Sequence, residues 1–133
     1  MLVALWGRLR ALAHPPADQL EAWIDRCAIP DDDGLDPEAS VRADQMLREE
    51  LGPDYQWLMA HGYLDVPSTL FRNTVYRLRM RRPIEVYKNG RRQPWRLCVT
   101  PVERVPAADE LLMKLVWLRA NEEYVLTTAN RVR

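Results

Sequence analysis

The stretch Thr74-Val-Tyr-Arg-Leu-Arg-Met-Arg81 alternates apolar and basic side chains with a period of two residues. This alternation is typical of a β-strand that has one face in the core and one face in solvent. It predicts an inward-facing set formed by Tyr76, Leu78 and Met80. The outer face of the strand would then carry a row of guanidinium groups, from Arg77, Arg79 and Arg81.

Two more strands are predicted downstream, over residues 84–88 and 95–100. The dipeptide Asn89-Gly90 between them is a strong signal for a two-residue hairpin, because both positions accept the positive φ of a type I′ turn. Pro94 has no backbone N–H to donate to a neighbouring strand. We therefore expect a free edge or a β-bulge on that side of the hairpin.

Helical periodicity dominates the chain before Gly62. An apolar stripe at helical spacing opens the chain, with Leu2, Leu5, Leu9 and Leu12. Residues 16–62 carry further helices with many acidic side chains. Pro106 begins another helix near the C-terminus, and residues 122–130 fit a helix and a strand equally well.

These patterns predict an α+β fold with a helical N-terminal half, a three-stranded antiparallel meander and a closing C-terminal helix. A chain of 133 residues is expected to form a single domain. Its predicted parts are a detached amphipathic helix over residues 1–14, an acidic helical part over residues 16–62, and a basic sheet with the last helix over residues 63–133.

The charged residues are divided unevenly along a chain whose formal net charge is zero. Residues 14–63 contain twelve acidic and three basic residues, whereas residues 64–104 contain ten basic and three acidic ones. One end of the folded molecule is therefore expected to be negative and the other positive. Such a split is informative about charged partners.

Signatures of catalysis, metal binding and nucleotide binding are absent from the sequence. The two histidines, His14 and His61, each stand at the end of a predicted helix, where they interact favourably with the terminal carbonyl groups. Cys27 and Cys98 belong to no closely spaced pair of metal ligands. We therefore expect no enzymatic activity, no metal and no cofactor.

The apolar start of the chain does not resemble a secretory signal, because Arg8 and Arg10 interrupt it after six residues. No stretch approaches the roughly 20 apolar residues of a membrane span. We expect a cytoplasmic protein with two reduced thiols and no membrane partner.

Several short strings between Ala43 and Asn130 stand together in a recognisable order, among them Gly62-Tyr-Leu-Asp-Val66, Asn73-Thr-Val-Tyr76, Leu97-Cys-Val-Thr-Pro101, Glu123-Tyr-Val-Leu126 and Ala129-Asn130. On these strings the chain resembles a group of small uncharacterised bacterial and phage-encoded proteins. The resemblance implies a phage-associated setting and transfers no catalytic residue. The similar proteins carry histidine where this chain has Thr100, which argues against a metal site at Cys98.

The candidate binding residues are the basic side chains in and around the predicted hairpin: Arg77, Arg79, Arg81, Arg82, Lys88, Arg91, Arg92 and Arg96. Three interpretations stay open. These residues could contact an acidic surface of another protein or of a second copy of this chain, bind the phosphates of a nucleic acid, or pair with acids of their own chain.

The apolar stripe over residues 2–12 favours the interpretation with a protein partner. Such a stripe is expected to be buried, either against its own domain or in a groove of another chain. The sequence-based hypothesis is a non-enzymatic binding or accessory module that acts through protein–protein contacts. Nucleic-acid binding through the same arginine-rich face is the alternative.

Overall fold

The structure is a computed structural model that describes residues 36–133. These residues form four helices, namely α1 (Pro37–Leu51), α2 (Pro53–His61), α3 (Ala107–Ala120) and α4 (Glu122–Thr128). They also form five strands, namely β1 (Leu64–Pro67), β2 (Thr74–Leu78), β3 (Ile84–Lys88), β4 (Arg91–Cys98) and β5 (Asn130–Val132). The predictions for residues 1–14, and the part of the acidic helical prediction before residue 36, lie outside the described residues.

Capping residues mark the start of α1 and the end of α2. The Asp36 carboxylate accepts a hydrogen bond from the Glu38 backbone N–H at 3.0 Å, and Pro37 occupies the first helical position. Helix α2 ends at Gly62, whose φ of 77° is the left-handed conformation that glycine adopts without steric cost. The Gly62 N–H donates to the Leu58 carbonyl at 2.7 Å and so completes the helix end.

All five strands belong to one antiparallel sheet in the order β1-β2-β3-β4-β5. The register places apolar partners opposite each other, such as Leu64 with Leu78 and Ile84 with Leu97. These side chains form a single core cluster with helical residues such as Leu47 and Leu111. The helices thus cover one face of the sheet, and the alternation of the strands places charged residues such as Asp65, Arg77 and Glu85 on the opposite face.

The predicted hairpin at Asn89-Gly90 is confirmed. Both turn residues have positive φ, at 52° and 76°, and Lys88 pairs with Arg91 directly across the turn. The register between β3 and β4 shifts in the segment that contains Pro94, which agrees with the bulge expected there.

The three-stranded meander is wrong, because the sheet contains two additional strands, β1 and β5. Strand β1 has four residues and β5 has three, and an alternation over so few positions is too short to stand out in a sequence. The closing C-terminal helix is also wrong, since α3 is followed by the short helix α4 and then by β5. Residues 122–130 thus contain both kinds of structure that the sequence left open.

The strand predicted over residues 74–81 is shorter than expected. Strand β2 ends at Leu78, and Arg81 has a φ of 57°, which lies outside strand conformation. Among the helices of residues 36–133, none combines the length and apolar character that are needed to cross a membrane.

Candidate functional site: the basic residues of the sheet

Arg77 is an internal residue of the sheet. Its side chain is 4% exposed, and its Nε and Nη2 atoms donate to the two carboxylate oxygens of Asp65 at 2.8 and 3.2 Å. The guanidinium carbon lies 3.8 Å from the ring centre of Tyr63 and 4.5 Å from that of Tyr87. Burial lowers the pKa of Arg77, but the Asp65 carboxylate more than offsets this and leaves the pKa above its ordinary value.

Arg79 is held in the same charged layer. Its Nε donates to Glu85 at 2.5 Å, and both side chains are largely buried. The Tyr87 hydroxyl donates to the other oxygen of Glu85 at 3.3 Å and accepts from Arg77 at 3.2 Å. Asp65, Arg77, Tyr87, Glu85 and Arg79 thus form one connected network on the face of the sheet opposite the core.

Arg81 and Arg82 lie at the edge of a second charged cluster. Arg81 donates to Glu110 of α3 at 2.9 Å, and Glu110 also binds the Lys114 ammonium at 2.9 Å. The Arg82 carbonyl accepts a hydrogen bond from Lys114 at 2.9 Å. Glu110 and Lys114 are buried, so this cluster fastens the β2–β3 connection to α3.

The prediction that Arg77, Arg79 and Arg81 form a solvent-exposed row is therefore wrong. Each of the three is paired with an acid of its own chain, as the intramolecular interpretation expects. The acids are Asp65, Glu85 and Glu110, however, and not members of the acidic segment at residues 14–63. Any role of these arginines in binding a partner stays a prediction.

The remaining predicted residues are far more accessible. Lys88, Arg91 and Arg92 are exposed, and Arg96 is half-buried with a hydrogen bond to the Arg133 carbonyl at 2.7 Å. Arg92 approaches Glu85 at 3.8 Å, with its own side chain 63% exposed. Within residues 36–133, neither Lys88 nor Arg91 takes part in an ion pair.

The loop between β1 and β2 lies beside this turn. The Asn89 backbone N–H donates to the Asn73 carbonyl at 2.8 Å, which brings the exposed Arg72 next to the hairpin. Leu70 and Phe71 in the same loop are each 54% exposed. Neither residue stood out in the sequence, because a loop has no periodicity that would mark its apolar residues as exposed.

Trp95 joins the same region from β4. The Lys88 ammonium lies 5.7 Å from the Trp95 ring centre, and the Arg131 guanidinium carbon lies 4.3 Å from it. Both cations are thus within the range of a cation–π contact. We call this surface the hairpin end, and define it by Leu70, Phe71, Arg72, Lys88, Arg91, Trp95 and Arg131. Arg92 alternates to the opposite face of the sheet, where it approaches Glu85.

A buried carboxylate connects the β1–β2 loop to α4. Glu122 is 5% exposed and accepts hydrogen bonds from the Ser68 hydroxyl, from the Thr69 backbone N–H and hydroxyl at 2.9 and 2.8 Å, from the Leu70 N–H at 3.3 Å and from the Tyr76 hydroxyl at 2.6 Å. Burial raises the pKa of Glu122, but these donors outweigh it and leave the pKa below its ordinary value.

His61 and Cys98 are the histidine and the cysteine that lie within the described residues. His61 stacks on Trp57 with ring centres 3.5 Å apart and donates from Nδ1 to the Trp57 carbonyl at 3.0 Å, as expected of a residue at the end of a helix. Cys98 is a half-buried free thiol. The structure gathers no metal-binding group of three or more His, Cys, Asp or Glu side chains over residues 36–133, and His14 and Cys27 lie outside that range.

No family model, no curated protein and no solved structure matches this chain. The resemblance to small bacterial and phage-encoded proteins rests on short strings of residues and stays a prediction.

Proposed function

We propose that this chain is a non-enzymatic binding module that contacts an acidic surface of another protein through the hairpin end. The observation that carries the proposal is the pair Lys88 and Arg91. These two residues face each other across a two-residue turn, are exposed, and make no ion pair with any residue of 36–133. Two cations held side by side repel each other, and an acidic partner would relieve that repulsion.

The apolar residues of the hairpin end favour a protein over other polyanions. Leu70 and Phe71 each expose about half of their surface beside the basic residues. Protein interfaces typically combine a few aromatic or aliphatic anchors with a polar rim, and arginine and aromatic residues are enriched in them. The hairpin end contains both components.

The backbone of the hairpin end is ordered by internal contacts. The turn is two residues long, and its Asn89 N–H is bound to the β1–β2 loop. A preorganised surface loses less conformational entropy on binding than a flexible one does. This supports a role in recognition and requires no catalytic group.

The proposal also includes a cellular setting. A cytoplasmic location would keep the free thiol of Cys98 reduced. The resemblance to phage-encoded proteins supports an accessory role in a phage or mobile element.

The proposal is tested by capturing partners from an extract of the native cells on the immobilised full-length chain. The K88S/R91S variant removes the two cations at the turn. The R42S/R119S variant removes the same charge from exposed positions on α1 and α3 and serves as the matched control. We expect a partner that wild type and the control retain and that K88S/R91S releases. Equal retention by both variants would contradict the proposal.

A second candidate, nucleic-acid binding, is favoured by Trp95, which lies against both Lys88 and Arg131. Basic residues beside an aromatic ring suit single-stranded nucleic acids. Fluorescence anisotropy with labelled single- and double-stranded DNA and RNA across salt concentrations separates the two candidates. Tight binding that falls steeply with salt and is lost in K88S/R91S would replace the protein partner by a nucleic acid. An absence of binding at low salt would support the protein partner.

A further inference from the structure

We propose that Glu122 is a positioning residue, which holds the β1–β2 loop over residues 68–73 in place as one half of the contact surface at the hairpin end. This inference rests on the proposed function, because it assigns the loop to the same surface as Lys88 and Arg91. Glu122 itself would not contact the partner. It would determine the shape of the surface because it is buried underneath the loop.

The geometry shows how strongly the loop depends on this carboxylate. Oε1 accepts from the hydroxyls of Ser68 and Tyr76, and Oε2 accepts from the Thr69 hydroxyl and from the backbone N–H groups of Thr69 and Leu70. Four of these five hydrogen bonds come from three consecutive loop residues. A single side chain therefore satisfies most of the polar groups at the start of the loop.

The carboxylate belongs to a helix that is anchored in the core. Glu122 is the first residue of α4, and the Asn121 side chain caps this helix by accepting from the Tyr124 N–H at 3.1 Å. Val125, one turn later, is 1% exposed and belongs to the core. Glu122 thus connects the core to a loop that lies more than fifty residues earlier in the sequence.

The same attachment also determines the conformation of the next residues of the loop. The Ser68 hydroxyl, which donates to Glu122, accepts from the Leu70 and Phe71 N–H groups at 3.2 and 2.9 Å. The chain therefore turns sharply at Ser68 and leaves the side chains of Leu70 and Phe71 exposed. Opening the loop would strip the buried carboxylate of its donors, which is energetically unfavourable.

The test compares E122Q with E123Q by limited trypsin digestion of the purified full-length chain. Glutamine keeps the shape of Glu122 but removes its charge and half of its acceptors, whereas Glu123 is exposed and provides the matched control. We expect the rate of cleavage after Arg72 to rise about tenfold in E122Q, because cleavage follows the population of the open loop. Cleavage after Arg104, in the exposed connection between β4 and α3, is expected to stay at the wild-type rate.

Two results would overturn the inference. One is an unchanged rate of cleavage after Arg72 in E122Q. The other is a parallel rise after Arg72 and Arg104, which would show that Glu122 stabilises the whole fold and not the loop. If E122Q does not fold, the S68A/T69V variant decides by the same two readouts, because it removes the hydroxyl donors of the loop and leaves Glu122 in place.

Partner capture separates this inference from the proposed function. We expect E122Q to lose the partner that wild type and E123Q retain. If K88S/R91S loses the partner and E122Q retains it with an open loop, the inference fails and the proposed function stands. If no variant changes capture, the proposed function fails together with the role of the loop in binding.

Discussion

Arg77 occupies a strand position that the sequence pattern assigns to solvent, yet its side chain is 4% exposed. The pattern Arg77, Arg79, Arg81 is the same whether the arginines face water or a layer of acids and tyrosines. What distinguishes the two cases is the position of Asp65 and Glu85, which the register of neighbouring strands places directly opposite Arg77. Pairing between strands is a property of the fold, so the period-two pattern alone could not reveal it.

Replacing Arg77 by serine should destabilise the protein by about 3 kcal/mol, because the change removes a buried cation together with its two hydrogen bonds to Asp65 and its contacts with the rings of Tyr63 and Tyr87. Replacing the exposed Arg91 by serine should change the free energy of unfolding by less than about 0.5 kcal/mol. Urea unfolding of both variants measures this difference. Equal stabilities of R77S and R91S would contradict the internal role of Arg77.

The hydrogen bonds to Glu122 predict a specific dependence of stability on pH. Because its pKa in the folded state is lowered from the ordinary value of 4.5, Glu122 contributes stability above that value, and the contribution is lost as the pH falls through the lowered pKa. The pKa of Tyr76, which contacts Glu122, is raised by burial and by the carboxylate, so Tyr76 does not titrate in the acid range.

The stability difference between wild type and E122Q should therefore be constant near neutral pH and should shrink below about pH 4.5. Urea unfolding between pH 7 and pH 3 measures it, and E123Q provides the reference for an exposed glutamate. A difference that grows as the solution becomes more acidic would show that Glu122 has a raised pKa and would contradict the geometry.

At the scale of elements, the hairpin could be predicted and the edges of the sheet could not. The chemistry of Asn89-Gly90 is local, so two residues suffice to predict the turn and its register. Strands β1 and β5 are three or four residues long and exist because β2 and β4 offer them partners. Edge strands this short carry almost no pattern of their own, which is why the predicted sheet was too small.

Replacing Gly90 by alanine should cost about 1 kcal/mol of stability, because alanine is strained at a φ of 76°. A Cβ atom at this position would meet no atom within 4 Å beyond its two chain neighbours, so the cost lies in the backbone conformation. Asn89→Gly, at the neighbouring turn position, serves as the control and should change stability little. Thermal unfolding of the two variants measures the difference, and an undiminished melting temperature for G90A would contradict the type I′ geometry.

For the whole molecule, the sequence predicts the uneven distribution of charge but not which charges are available. Ten basic residues in residues 64–104 indicate a positive region. The structure divides them: Arg77, Arg79 and Arg81 pair with acids of their own chain, whereas Lys88 and Arg91 stay exposed at the turn. Arg131, which is distant in sequence, contacts Trp95 and so lies beside Lys88. Only the tertiary structure brings these residues together.

The central claim is that the hairpin end, and not the basic segment as a whole, recognises a partner. The most direct measurement is the affinity of the captured partner for K88S/R91S and for the charge-matched R42S/R119S variant across salt concentrations. We predict at least about tenfold weaker binding for K88S/R91S at low salt, with a smaller difference at high salt, where the charges are screened. Equal affinities of the two variants at every salt concentration would contradict the claim.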